Sequence, residues 1–108
     1  MSIPYTYVEN LATALTVPPD GILSRTLYTR DGVKAVLFGF SPGQELSEHT
    51  AAMPAIIHIV SGQAHATVGG DGFDVGPGAV IHMEAQLPHS IVAQTPLIML
   101  LLMLKGEV

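Results

Sequence analysis

The residues of this chain best suited to chemistry are its five histidines: His49, His58, His65, His82 and His89. Imidazole is the commonest metal ligand among side chains, and its proton is the one most easily transferred near neutral pH. The chain has no cysteine, so a thiolate metal site, a disulfide and a thiol nucleophile are all excluded. Any bound metal must therefore be held by nitrogen or oxygen atoms.

Two of the histidines lie inside apolar stretches, which read Ile-Ile-His58-Ile-Val and Val-Ile-His82-Met. An unpaired polar group in a buried strand would cost about 1 to 3 kcal/mol. Each of these rings therefore needs a partner, which is a metal, a carboxylate such as Glu48 or Glu84, or a backbone carbonyl. His65 instead alternates with neighbouring polar residues on a short strand, and we expect it to face solvent.

The elements that must position these residues are predicted to be strands. Eleven glycines and eight prolines interrupt the chain, and no stretch of fifteen residues keeps a helical period free of them. The spacing is typical of a β-sandwich or barrel, so the predicted fold class is all-β. About eight strands are predicted, at 24–28, 33–40, 56–60, 64–68, 73–75, 79–83, 90–93 and 97–104.

Three local features complete this prediction. Asp31-Gly32 favours a tight hairpin turn, because both residues tolerate positive φ. Residues 97–104 are rich in Leu and Met, but Pro96 precedes them and a continuous apolar run suits a strand that is buried on both faces. Two turns of helix are an alternative for residues 8–15, and Pro18-Pro19 would end such a helix.

Two segments that begin with glycine each carry a histidine at a defined distance from that glycine. The first begins at Gly43, has His49 after five intervening residues and ends at Gly62. The second begins at Gly78 and contains His89. These spacings resemble the two motifs of small single-domain cupins over about residues 33–104. The resemblance implies a double-stranded β-helix, a jelly-roll barrel with a pocket between its sheets, as one domain over 1–108 with an arm at 1–23 and the barrel at 24–104.

The resemblance also implies a metal site, which this chain keeps only in part. In cupins, two histidines and a glutamate of the first motif and one histidine of the second hold a divalent metal. Only His49 and His89 carry over, because alanine stands at positions 51 and 55. Two imidazoles are fewer than the three protein ligands of catalytic zinc or the 2-His-1-carboxylate set of non-haem iron.

Two alternatives are open for the role of His58 and His82 in replacing the missing metal ligands. In the first, His58 and His82 join His49 and His89 in a four-histidine metal site. In the second, His58 and His82 lie on the outer face of a sheet and are buried by a partner subunit. Strand alternation turns residue 58 away from the side of residue 55 unless a bulge intervenes. Charged residues are only 12% of the chain, about half the usual share, which favours a homodimer with a hidden apolar face.

Two functions follow from the resemblance and stay open at this point. One is an enzyme in which a divalent metal (Zn, Fe, Ni, Mn or Cu) acts on a small oxygenated metabolite as a Lewis acid or by activating dioxygen. The other is a cupin that binds or senses a small molecule without metal. A barrel with an empty pocket and a purely structural role is a third hypothesis.

Charge and hydropathy exclude other classes of partner. Nine acidic residues against four basic ones give a net charge of -5 without a basic cluster, so nucleic-acid binding is not expected. The longest apolar run, 97–104, is far shorter than the ~20 residues that span a bilayer. The N-terminus lacks the basic start and apolar core of a signal peptide, so we expect a cytoplasmic protein.

Overall fold

The protein consists of nine antiparallel strands in a computed structural model that describes residues 3–105. No residue of that range lies in a helix, so the described part holds no helix long and apolar enough to cross a membrane. The strands are β1 (Ile22–Arg30), β2 (Val33–Phe40), β3 (Glu45–His49), β4 (Ala55–Ser61), β5 (Ala64–Val68), β6 (Asp71–Val75), β7 (Val80–Met83), β8 (His89–Ala93) and β9 (Leu97–Leu104).

The strands form two sheets that enclose one main core. The five-stranded sheet has the order β1-β2-β9-β4-β7, and the four-stranded sheet has the order β3-β8-β5-β6. Alternate residues point between the sheets, so Ile57 and Ile59 of β4 pack in the same buried cluster as Ala66 of β5 and Ile91 of β8. This arrangement confirms the predicted all-β class.

The strand that the sequence does not predict is β3, with the sequence ELSEH. Four of its five residues are exposed, and only Leu46 packs against the core. Such a strand lacks the apolar alternation from which strands are recognised. It matters here because His49 is its last residue.

The predicted strand at the C-terminal apolar run is confirmed as β9, which lies between β2 and β4. Three consecutive residues at its start, Leu97, Ile98 and Met99, are buried. Leu97 and Met99 belong to the core between the sheets, whereas Ile98 belongs to a second cluster on the outer face of the five-stranded sheet. Apolar side chains are thus buried on both faces of this strand, which explains the continuous run.

The segment before β1 covers part of that outer face with turns. Asn10 accepts a hydrogen bond from the Ala12 amide through Oδ1 (2.9 Å) and one from the Thr13 amide through its carbonyl (3.2 Å). This local bonding replaces the helical turns considered for residues 8–15, which are not formed. The turn places Leu15 in a buried cluster with Leu37 and Ile98.

Two glycine-containing turns depend on left-handed backbone. Asp31 (φ 56°) and Gly32 (φ 76°) both adopt positive φ, which confirms the predicted hairpin turn between β1 and β2. Gly62, between β4 and β5, has φ +90°, and a Cβ atom there would overlap the carbonyl oxygen of Pro96. Only glycine satisfies both conditions at this position.

We expect Gly62→Ala to lower the free energy of unfolding by about 2 to 4 kcal/mol, because left-handed strain adds to a backbone overlap. Gly78 is the matched control, since its φ of +92° is nearly the same but a Cβ atom there would meet no atom within 4 Å outside its chain neighbours. Gly78→Ala should cost only the strain, about 1 to 2 kcal/mol. Urea unfolding measures both values, and equal losses would contradict the proposed overlap.

Candidate functional site

His49 and His89 meet because β3 and β8 are paired. His49 ends β3, His89 begins β8, and the two are register partners. Leu46 also pairs with a core residue of β8, Ile91, and the register shifts between residues 46 and 49. Regular alternation from Leu46 would put residue 48 on the inner side. The shift instead brings His49 to that side, opposite His89.

Backbone carbonyls orient the two imidazoles. The ring centroids are 4.2 Å apart and the ring planes are inclined by 60°, an edge-to-face contact. Nδ1 of His49 lies 2.8 Å from the Ser47 carbonyl oxygen, and Nδ1 of His89 lies 2.8 Å from the Leu87 carbonyl oxygen. A carbonyl only accepts, so each Nδ1 donates, and in the neutral ring the lone pair is then on Nε2. The pair offers two Nε2 acceptors.

An open cavity of about 380 Å³ lies beside His49. Three of its lining residues are apolar and none carries a formal charge. His49 is exposed and His89 is half-buried, so solvent and small molecules reach the imidazoles. The lining consists of Phe38, Leu46, Ser47, His49 and Leu101.

The donor atoms do not fit the four-ligand metal centre of cupins. At the two other matching positions stand Ala51 and Ala55, and Ala55 is buried in the core with only a methyl group. Within residues 3–105 no cluster of three or more His, Asp or Glu side chains is placed to hold a metal ion. The metal-binding role of His49 and His89 therefore stays a prediction, with two protein ligands instead of the usual three or more.

The structure does not bring His58 and His82 to this pair. His58 lies between the core residues Ile57 and Ile59, and the register of β4 shifts only beyond Ile59. His82 likewise lies between two residues that point inward, so alternation turns both rings to the outer face of the five-stranded sheet. The four-histidine site is not formed, because no bulge reverses the alternation in either strand before the histidine.

His65 lies on the outer face of the four-stranded sheet, as its polar alternation predicts. Its side chain is 44% exposed, and Nδ1 lies 3.0 Å from Oδ1 of Asp74. An exposed pair of this kind contributes little to stability. Because its core neighbours Ala64 and Ala66 point inward, the ring lies on the far side of the sheet from the cavity and is not part of the candidate site.

Sequence reasoning misses the groups that orient and surround the histidine pair. The carbonyls of Ser47 and Leu87 are backbone atoms and leave no residue-type signal. Phe38 and Leu101 line the cavity but have the same pattern as ordinary core residues. The two glycine-bounded motifs around His49 and His89 are the sequence signals that mark this region.

The fold agrees with comparisons to known proteins. Residues 36–104 match the cupin domain family. A conserved protein of unknown function from Streptococcus pyogenes is 32% identical, with a TM-score of 0.85 over 98% of this chain and 93% of that one. A cupin superfamily protein from Desulfitobacterium hafniense is 26% identical, with a TM-score of 0.85 over 96% and 95%.

A more distant structure shares the fold alone. KdgF from a Halomonas species is 21% identical, with a TM-score of 0.77 over 86% of this chain and 87% of that one. The comparison with curated proteins gives no match. The family match over most of the barrel, together with the two-sheet topology, shows that this chain belongs to the cupin domain family and has its double-stranded β-helix fold.

Proposed function

We propose that this cupin binds a small uncharged molecule in the cavity beside His49, with the His49 imidazole, packed edge-to-face against His89, as its polar anchor. The observation that carries the proposal is the orientation of both rings. Each Nδ1 donates to a backbone carbonyl, so each Nε2 of the neutral rings is left as a hydrogen-bond acceptor. A ligand that offers a hydrogen-bond donor fits this arrangement.

The cavity lining defines the rest of the ligand. Phe38, Leu46 and Leu101 present apolar surface, so an apolar body gains from burial there. No Lys or Arg lines the cavity and the chain carries a net charge of -5, which disfavours an anion. The favoured class is therefore a small molecule with an apolar body and a hydroxyl or N–H group.

The choice of binding over metal-dependent catalysis rests on the donor set. The cupin metal centre takes four protein ligands, and here Ala51 and Ala55 replace two of them. A metal held by the remaining imidazoles would have only two protein ligands, which is below the number typical of catalytic zinc or iron sites. We therefore propose a binding or sensing function for the pocket, without a protein-held metal.

Benzyl alcohol, toluene and benzoate provide probes that share a ring and differ in the polar group. We expect benzyl alcohol to bind about 2- to 13-fold more tightly than toluene, because one net hydrogen bond is worth about 0.5 to 1.5 kcal/mol. Benzoate should bind most weakly, since its carboxylate has no hydrogen to donate to Nε2 and, unlike toluene, loses hydration of a charge in the uncharged cavity. Amide chemical shifts in a two-dimensional NMR titration measure the affinities and report whether Leu46 and Leu101 respond.

Substitution of the histidines tests the anchor itself. His49→Ala should reduce benzyl alcohol binding to the level of toluene, whereas His65→Ala, on the other side of the four-stranded sheet, should leave it unchanged. Tightest binding of benzoate, or an unchanged affinity in His49→Ala, would contradict the proposed role of the imidazole pair.

Metal content separates the two functional hypotheses. Untagged protein purified without chelator should contain well below about 0.1 divalent metal per chain, since two imidazoles make an incomplete site. The double variant Ala51→His and Ala55→Glu restores the ligand types that the cupin motif implies, and we expect it to take up about one metal per chain. Inductively coupled plasma mass spectrometry measures both. Near-stoichiometric metal in the wild type, lost in His49→Ala, would overturn the metal-free proposal.

A further inference from the structure

We propose that the chain has a second binding site, for a small organic oxyanion, in a cavity between the segment before β1 and the end of the β1–β2 hairpin. This hairpin cavity measures about 290 Å³, which is near the lower limit of small-molecule pockets. Residues 4–6 form one side of it, and Tyr28, Arg30, Asp31 and Val33 form the other. None of these residues lines the first cavity, so the two sites are separate.

The Arg30 guanidinium is the group that holds the anion in this proposal. Arg30 ends β1, and its Nη1 donates a hydrogen bond to the Ile3 carbonyl oxygen at 2.8 Å. This bond holds the guanidinium at the hairpin cavity and uses one of its five N–H donors. The other donors form part of a planar fork that matches the oxygens of a carboxylate or a phosphate. An arginine that is already held loses less side-chain freedom when a ligand binds.

The described lining of the hairpin cavity supplies more hydrogen-bond donors than acceptors of full charge. Besides Arg30, it contains the hydroxyl groups of Tyr5, Thr6 and Tyr28, each of which can donate. Of the described lining residues, Asp31 alone carries a carboxylate, and its oxygens lie more than 4.0 Å from the Arg30 nitrogens. The guanidinium is therefore not paired with this neighbour and is available to a ligand.

The positive charges of the chain gather around the same hairpin turn. Three of the four Lys and Arg residues lie there. Arg30 precedes the turn, Lys34 follows it in β2, and Lys105 donates its backbone N–H to the Gly32 carbonyl oxygen at 2.7 Å. Their combined field favours a negatively charged ligand at this end of the sheet, although the whole chain carries a net charge of -5.

Two tyrosine rings define the rest of the ligand. Tyr5 and Tyr28 both line the hairpin cavity, and Tyr5 is 68% exposed. A planar apolar group gains from contact with such rings, and Val33 adds an aliphatic contact. The favoured class is therefore a small aromatic carboxylate or phosphate ester whose oxyanion binds Arg30. This preference is opposite to that proposed for the first cavity, which no Lys or Arg lines.

Phenyl phosphate and benzoate are the probes, because they share a ring and present the two kinds of oxyanion. In a two-dimensional NMR titration, both should shift the backbone amides of Tyr28 and Val33 and leave those of Leu46 and Leu101 unchanged. The probe that binds more tightly identifies the kind of oxyanion. Benzyl alcohol should bind at this site at least about 5-fold more weakly than phenyl phosphate, because hydrogen bonds to charged groups are roughly twice as strong as neutral ones.

Arg25 provides a matched control for Arg30. Both lie on β1, and each donates from Nη1 to a carbonyl oxygen of the segment before β1, which is that of Ala14 for Arg25 (2.7 Å) and that of Ile3 for Arg30. Of the two, only Arg30 lines the hairpin cavity. Arg30→Gln should weaken phenyl phosphate binding at least about 10-fold, whereas Arg25→Gln should leave it unchanged. Arg30→Lys keeps the charge without the planar fork, so we expect an intermediate affinity.

Salt dependence provides a second measurement on the wild type. A rise in sodium chloride from about 0.02 to about 0.3 M should weaken phenyl phosphate binding several-fold, because salt screens charges at an exposed site. The affinity of benzyl alcohol for the cavity beside His49 should not change, since that ligand is uncharged.

Four results would overturn the proposal: phenyl phosphate shifts centred on Leu46 and Leu101, an unchanged affinity in Arg30→Gln, an equal loss in Arg25→Gln, or an affinity of Arg30→Lys no higher than that of Arg30→Gln. Because Arg30 does not line the cavity beside His49, benzyl alcohol binding by Arg30→Gln reports separately on the proposed function.

Discussion

The pairing of β3 with β8 is the constraint on which the candidate site depends. Inward side chains of a regular strand are two or four residues apart. A single shift in register lets Leu46 and His49 both point inward although they are three residues apart. Without it, the last residue of β3 would face away from the barrel. The cost of the irregularity falls on a mostly exposed edge strand, where few buried contacts are lost. His49 therefore lies on a strand that contributes little to the core, whereas His89 lies on β8, which contributes Ile91 and Ala93.

The alternation of side chains in β4 and β7 likewise decides on which face of the five-stranded sheet His58 and His82 lie. In β4 and β7 the regular register keeps Ile57, Ile59 and Met83 in the core and turns His58 and His82 outward. The two faces of one sheet thus differ: the inner face closes the barrel around the core, and the outer face carries His58 and His82 beside the cluster of Leu15, Leu37 and Ile98.

The sequence predicts the parts of this structure that depend on residue type. The glycine and proline spacing indicates an all-β barrel, the motif resemblance places His49 and His89 in one region, and the parity of residue 58 relative to residue 55 already argues against a four-histidine site. The missing parts depend on backbone geometry. β3 has one apolar residue in five, and its register shift has no residue-type signature. The carbonyls that orient the imidazoles are likewise common to every residue.

The alanines at positions 51 and 55 remove two metal-donor side chains, and this loss leaves the two imidazoles available for hydrogen bonding. A metal would draw on the lone pairs of both Nε2 atoms, whereas without additional protein ligands these lone pairs are available to a hydrogen-bond donor. The carbonyl partners hold the rings in the same tautomer in either case. The same backbone contacts that would orient metal ligands in a complete cupin site thus aim the acceptor atoms of this incomplete one away from the backbone. The preference that we propose, for an uncharged ligand with a hydrogen to donate, follows from the lone pair of His49 beside an uncharged, largely apolar cavity.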